Sequence, residues 1–221
     1  MASLGNFPID IILLAMIAAF LVLRLRSVLG KRTGIEPAAV SRFAPAATSR
    51  TIDAKAEAPS SAATKRTLPP RESEVGQGVA RILAADPGFN LPRFLDGADA
   101  AFRFIVTAFA EGNRDALRPL LTPAMFDLFD QAIATREANG WRQHTIVHAI
   151  RSSTMEAAEI SGTTAQITLR FITDQVSHTQ DASGQFVAGT EAVTEIVDLW
   201  TFEHELSSRD PTWRLAASRA G

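Results

Sequence analysis

Among its 221 residues the chain has no cysteine and no tyrosine. Without thiols there is no disulfide, no thiolate metal site and no cysteine nucleophile, which fits a reducing compartment. Without a phenol, a tyrosine-based oxyanion hole cannot be built. Lysine is scarce, and from Val79 onward every basic residue is arginine. That part also lacks a net positive charge. Residues 1–78 hold ten Lys or Arg against six Asp or Glu, so the formal net charge of −2 leaves the remainder at −6. A domain of that sign does not grip nucleic acid by charge, and no glycine-rich phosphate loop follows a strand pattern.

What is present first is an apolar run. Ile9 to Leu25 is interrupted only by Asp10 and Arg24, and its side chains include Ile9, Ile11, Leu14, Ile17, Phe20 and Leu23. A spanning helix needs about 20 residues, which Phe7 to Val28 supplies if Asp10 and Arg24 reach opposite interfaces. The basic residues Arg24, Arg26, Lys31 and Arg32 follow the run and none precedes it. A secretory signal carries its charge first, so the expectation is an anchor over 1–30 that is retained. By the positive-inside rule the N-terminus is periplasmic and the rest cytoplasmic, as a single-pass protein of a bacterial inner membrane. The competing reading, a buried core helix, would show polar residues at every turn.

Residues 31–78 are rich in Ala, Ser, Thr and Pro and show neither helical nor strand periodicity, which predicts a disordered linker. From 79 to 221 the pattern is that of one domain. A short helix is expected over Val79 to Ala85, stopped by Asp86-Pro87-Gly88. Asn90 then caps a long helix whose apolar face comprises Phe94, Ala98, Ala101, Phe102, Ile105 and Phe109, ended by Gly112. Asp115 is expected to cap a short helix through Leu120. Thr122-Pro123 opens another helix with Met125, Phe126, Phe129 and Ile133 on its stripe, ended at Asn139-Gly140. Strands follow: Ile146 to Ser161, an alternating run through Ala165, Ile167, Leu169 and Phe171, then Val193 to Leu206, and a last strand with Trp213 and Leu215. The turns are Gly162, Asp181 to Gly184 and Asp210-Pro211. Helices followed by antiparallel strands give an α+β class: about three helices on a curved four-stranded antiparallel sheet, a cone with an apolar interior.

Chemistry has few candidates. Asp198 shares a strand face with Ile196, Trp200 and Phe202, so it reads either as a base in an apolar pocket or as a paired or solvated carboxylate. His144 and His148 lie four apart, too few ligands for a closed metal site, and His204 between Glu203 and Glu205 reads as a solvated strand position. The aromatic set Phe102, Phe109, Phe126, Phe129, Phe171, Trp200, Phe202 and Trp213 is a core, or partly the lining of a pocket at the wide end of the cone. No catalytic residue, metal or cofactor is assigned.

The stretches FRFIVTAFAEGNRDALRPLLTPAMFDLF, ITLRF, DASGQFVAGT and IVDLWTFEHELSSRDPTWRLAAS, in that order, resemble the C-terminal domain of the mitochondrial inner-membrane translocase subunit forty-four, the import-motor tether, and its alphaproteobacterial adaptor relatives. The resemblance implies a nuclear-transport-factor-two-like cone and a non-enzymatic, membrane-associated scaffold. Its implied partner is a protein, whether a translocase, a chaperone or another membrane-protein complex, with lipid met through the anchor. In place of the chaperone-binding N-terminal region of the mitochondrial members stand an anchor and a linker. Lipid contact by the domain itself would rest on Arg81 and Arg93 alone. A ribosome tether is the alternative within the same fold, and an anchored hydrophobic-ligand sensor or enzyme using the cone pocket is the alternative outside that class.

Overall fold

The structure is a computed structural model that describes residues 64–221. The expected anchor, with Ile9, Ile11, Leu14, Ile17, Phe20 and Leu23, and its flanking Arg24, Arg26, Lys31 and Arg32 lie outside the described residues, as does the linker through residue 63. Among the described residues no helix is long and apolar enough to cross a membrane.

The described residues form four α-helices, α1 (Glu74–Ala85), α2 (Leu91–Glu111), α3 (Arg114–Leu117) and α4 (Pro123–Ala138), with a 3-10 turn at Arg118–Leu120. Each α-helix begins at a side chain that accepts from a backbone N–H left open by the first turn: Ser73, Asn90, Asn113 and Thr122. The cap of α3 is therefore Asn113 rather than Asp115. Gly112 ends α2 at φ 72°, a conformation that glycine adopts without a Cβ penalty.

The strands are β1 (Lys65–Thr67), β2 (Arg142–Ser161), β3 (Thr164–Gln180), β4 (Phe186–Glu205) and β5 (Arg214–Ala220), in the spatial order β1-β2-β3-β4-β5. Strands β2 to β5 run antiparallel, as expected, but β1 adds a parallel edge beside β2. The sheet is thus five-stranded and mixed. Part of the stretch read as linker is accordingly ordered: β1 lies within it, and α1 starts at Glu74 rather than Val79. Polar Lys65-Arg66-Thr67, exposed at all three positions, has no periodicity to betray a strand. Gly76 and Gly78 dilute the helical pattern of α1. Gly78 is required because a Cβ there would overlap the carbonyl of Ala158 on β2, and its absence lets helix and strand approach.

Sheet alternation divides inside from outside. On β3, Ala165, Ile167, Leu169, Phe171 and Thr173 are fully buried, while Gln166, Thr168 and Arg170 between them are half-buried on the other face. Register places Leu169 beside Trp200 and Ile167 beside Phe202. On the partner side, Ile150, Met155 and Ala158 of β2 join Phe102 and Ile105 of α2 and Ile82 of α1 in one core. Three register shifts along the β2–β3 pair, at Val147/Ala149, Ile150/Ser152 and Met155/Ala157, mark bulges that bend and twist so long a hairpin. The α+β class stands, with helices on one sheet face.

Candidate functional site

The aromatic side chains divide into a closed group and an open one. In the closed group Phe102, Phe171 and Trp200 meet at ring-centre distances of 4.7 Å (Phe102 to Phe171) and 4.5 Å (Phe102 to Trp200), all within the core. Phe126 is buried beneath the guanidinium of Arg118, 4.0 Å from its ring centre. Phe109 and Phe129 pack edge to face at 4.8 Å and are half-buried. Beside them Arg136 is buried and donates to the Phe109 carbonyl oxygen (2.8 Å) and to Gln143 Oε1 (2.6 Å), while desolvation pulls its pKa down. These residues make structure, and none of them lines the cleft described next.

The open group surrounds a cleft of about 500 Å³ between the start of α2, the end of β4 and the turn that follows it. Trp213 stands at its centre. Its ring lies 4.8 Å from Phe94, 5.5 Å from Phe89 and 5.5 Å from the imidazole of His204, and Phe94 in turn meets Phe202 at 6.0 Å. Phe89, Phe94 and Phe202 are buried in the core yet line the cleft, whereas Trp213 is half-buried. Arg93 and Arg209 line the same cleft, and among the described residues neither makes an ion pair.

Turn chemistry fixes this shape. Asp86 Oδ1 accepts from the Gly88 N–H at 2.9 Å, and the Asp86 carbonyl accepts from the Phe89 N–H, which brings Phe89 to the start of α2. Across the cleft, Asp210 accepts from the Thr212 N–H (3.0 Å) and from Arg214 Nη2 (2.6 Å), while its own N–H donates to Ser208 Oγ. The Thr212 hydroxyl, then the Thr212 N–H and Arg214, hold the Asp210 carboxyl below its usual range.

Two sequence expectations change here. Trp213 precedes β5 instead of lying within it and is half-buried, because the Asp210–Thr212 turn delays pairing until Arg214. His204 is buried rather than solvated, since alternation along β4 puts it in step with Trp200 and Phe202, and its Nδ1 lies 3.4 Å from the Thr212 carbonyl oxygen. Asp198 faces the inner side opposite Phe171, half-buried, and is not part of the cleft lining. His144 pairs across strands with His178, ring centres 5.2 Å apart, whereas His148 falls at a bulge and is exposed. Phe89, Phe94 and Leu206 were not among the expected pocket residues. The signal for Phe89 is an aromatic set between a turn and an N-cap; nothing local marks it as Trp213's neighbour.

The cleft's polar groups are engaged in turns and ring stacking, its floor is aromatic and its rim cationic. That arrangement suits holding an apolar group with negative charge beside it.

No curated protein matches this chain. Among solved structures, the intermembrane space region of the chloroplast protein ARC6 is 13% identical, with 58% of this chain and 94% of that chain covered and a TM-score of 0.43. A putative dehydratase of the NTF2-like family from Streptomyces avermitilis is 14% identical, with 57% and 96% covered and a TM-score of 0.33. Neither likeness is close enough to argue from. The Tim44-like domain, in contrast, matches residues 75–220, from the first turn of α1 to the end of β5. The chain belongs to the Tim44-like domain family.

Proposed function

We propose that this chain is an adaptor, anchored in a bacterial inner membrane by its N-terminal apolar run, whose cytoplasmic Tim44-like domain holds a partner protein in the cleft around Trp213. Membership of a family associated with protein translocation supports the general role. The observation that carries the specific reading is the cleft itself, with Phe89, Phe94 and Trp213 as floor and Arg93 and Arg209 at its rim. An apolar side chain inserted on that floor, with an acidic residue beside it, would match both surfaces. The polar groups nearby favour binding over turnover, because Asp86 and Asp210 are occupied in shaping their turns and His204 lies against Trp213.

A photo-crosslinking residue placed at Arg209 should capture a discrete protein, one placed at Gln166 on the opposite sheet face should not, and Trp213→Ala should remove the Arg209 adduct while the domain still melts cooperatively. Equal adducts from both positions would overturn the reading. If instead a small apolar molecule co-purifies with the parent chain and is absent from Trp213→Ala, the cleft holds a ligand rather than a protein. For topology, a phosphatase active only in the periplasm should be silent when fused after Gly221.

A further inference from the structure

The short strand β1 sits in an unusual seat. It pairs with only Ser152–Thr154 of the 20-residue β2, and all three of its residues are exposed. Asp96 and Asp99, three apart and so on one face of α2, share the fork of a single guanidinium. Arg66 Nη1 donates to Asp96 Oδ1 at 2.6 Å and Nη2 to Asp99 Oδ2 at 2.7 Å. Asp99 is 8% exposed, its other oxygen, Oδ1, is buried with no partner, and among the described residues Arg66 is its sole counter-charge. Beside it, Ser153, which pairs in register with Arg66, is 1% exposed with its hydroxyl also unpartnered.

A buried carboxylate that loses its cation is costly, so the seat demands a guanidinium whoever supplies it. The present occupant meets that demand incompletely. Its attachment ends at Thr67: Leu68 is 59% exposed, Pro69 follows, and the chain is fixed again only where Ser73 bonds the Pro70 carbonyl. Three exposed residues on a proline hinge form a segment of low local stability.

We propose that the β2 edge at Ser152–Thr154, together with Asp96 and Asp99, is an acceptor for an extended, arginine-bearing segment of a partner protein, and that β1 is the built-in occupant this segment displaces. Recognition is strand addition: the backbone edge that β1 vacates supplies hydrogen bonds, and the two carboxylates select arginine at the position of Arg66. Lysine, a point charge, cannot span the fork. The short tether gives β1 a high effective concentration, so the seat is closed until a competitor arrives in excess or β1 is drawn away. This site is separate from the cleft and does not depend on it.

The test uses the full chain and a fluorescent peptide copying residues 62–69. Arg66→Glu in the chain sets a carboxylate against Asp96 and Asp99 and vacates the seat. The peptide should then bind at least tenfold more tightly than to the parent chain, and either Asp99→Asn in that background or lysine for arginine in the peptide should cost tenfold or more. Equal binding to parent and Arg66→Glu chains, no binding to a cooperatively melting Arg66→Glu chain, or indifference to Asp99→Asn would overturn the proposal. Should Arg66→Glu not fold, amide exchange on the parent chain decides: excess peptide should accelerate exchange at residues 64–68 and leave β3 unchanged, and no acceleration at saturating peptide overturns it.

Discussion

Two aromatic clusters, built on the same face of the same sheet and against the same helix, differ in one respect. Around Phe102, Phe171 and Trp200 the rings sit inside α2, β3 and β4, where regular elements close over them from both sides. Around Phe89, Phe94 and Trp213 the rings sit where α2 begins and β5 has not yet begun, so turns stand in for a strand and a cleft remains. Hydrophobicity does not distinguish them. Phe89 and Phe94 are themselves buried, so the difference falls on Trp213, which is half-buried because turns supply less cover than a ladder does.

The largest way to test this contrast is Trp200→Ala, which removes a ring 4% exposed and in contact with Phe102. It should cost about 3–5 kcal/mol and produce a steep fall in melting temperature. Gly78→Ala should come next: the added Cβ meets the Ala158 backbone, which cannot yield as a side-chain tip would, so α1 must move off β2 at about 1–3 kcal/mol. Denaturant midpoints of the two variants against the parent would rank them.

Trp213→Ala should cost less, about 1–2 kcal/mol, because the ring is only half-buried, while abolishing capture at the cleft. A loss as large as that of Trp200→Ala would erase the distinction between closed and open clusters. Acid should act on the open cluster through Asp210. Because the folded-state pKa of Asp210 is depressed, its contribution is complete above the unfolded value of about 4 and is lost as pH falls through the folded value. Near-ultraviolet dichroism or fluorescence of Trp213 in a Trp141→Phe, Trp200→Phe background should change in that range. Smallest of all, Asp198→Asn should leave partner capture unaltered, since Asp198 is outside the cleft; loss of function with an unchanged melt would instead point to an enzyme.

Much of this was readable along the chain. The caps Asn90 and Thr122, the stop at Gly112, the alternation through Ala165 to Phe171 and the turns at Gly162 and Asp181 to Gly184 lie where local chemistry puts them. Period marks Phe102, Phe171, Trp200 and Phe202 as core or pocket lining, and it took the packing to show that they are buried. Two strands start earlier than alternation shows: β2 at Arg142 instead of Ile146, because Arg142 to Thr145 is polar on both faces, and β4 at Phe186 instead of Val193, because Ala188-Gly189-Thr190-Glu191 interrupts the apolar pattern after Phe186 and Val187. His204 was misplaced by its charged neighbours, although parity with Trp200 and Phe202 assigns it to the inner face.

By itself, the amino-acid sequence determined the α+β class, the order of helices and strands, the faces each would bury and the block of residues that marks the family, because periodicity, caps and turn residues act over a few positions. Only the tertiary structure decided that Lys65–Thr67 becomes a strand, that Arg66 bridges Asp96 and Asp99, and that Phe89 meets Trp213. Those pairings join residues 30 to 124 positions apart. Periodicity names the face a side chain takes, never what stands opposite it.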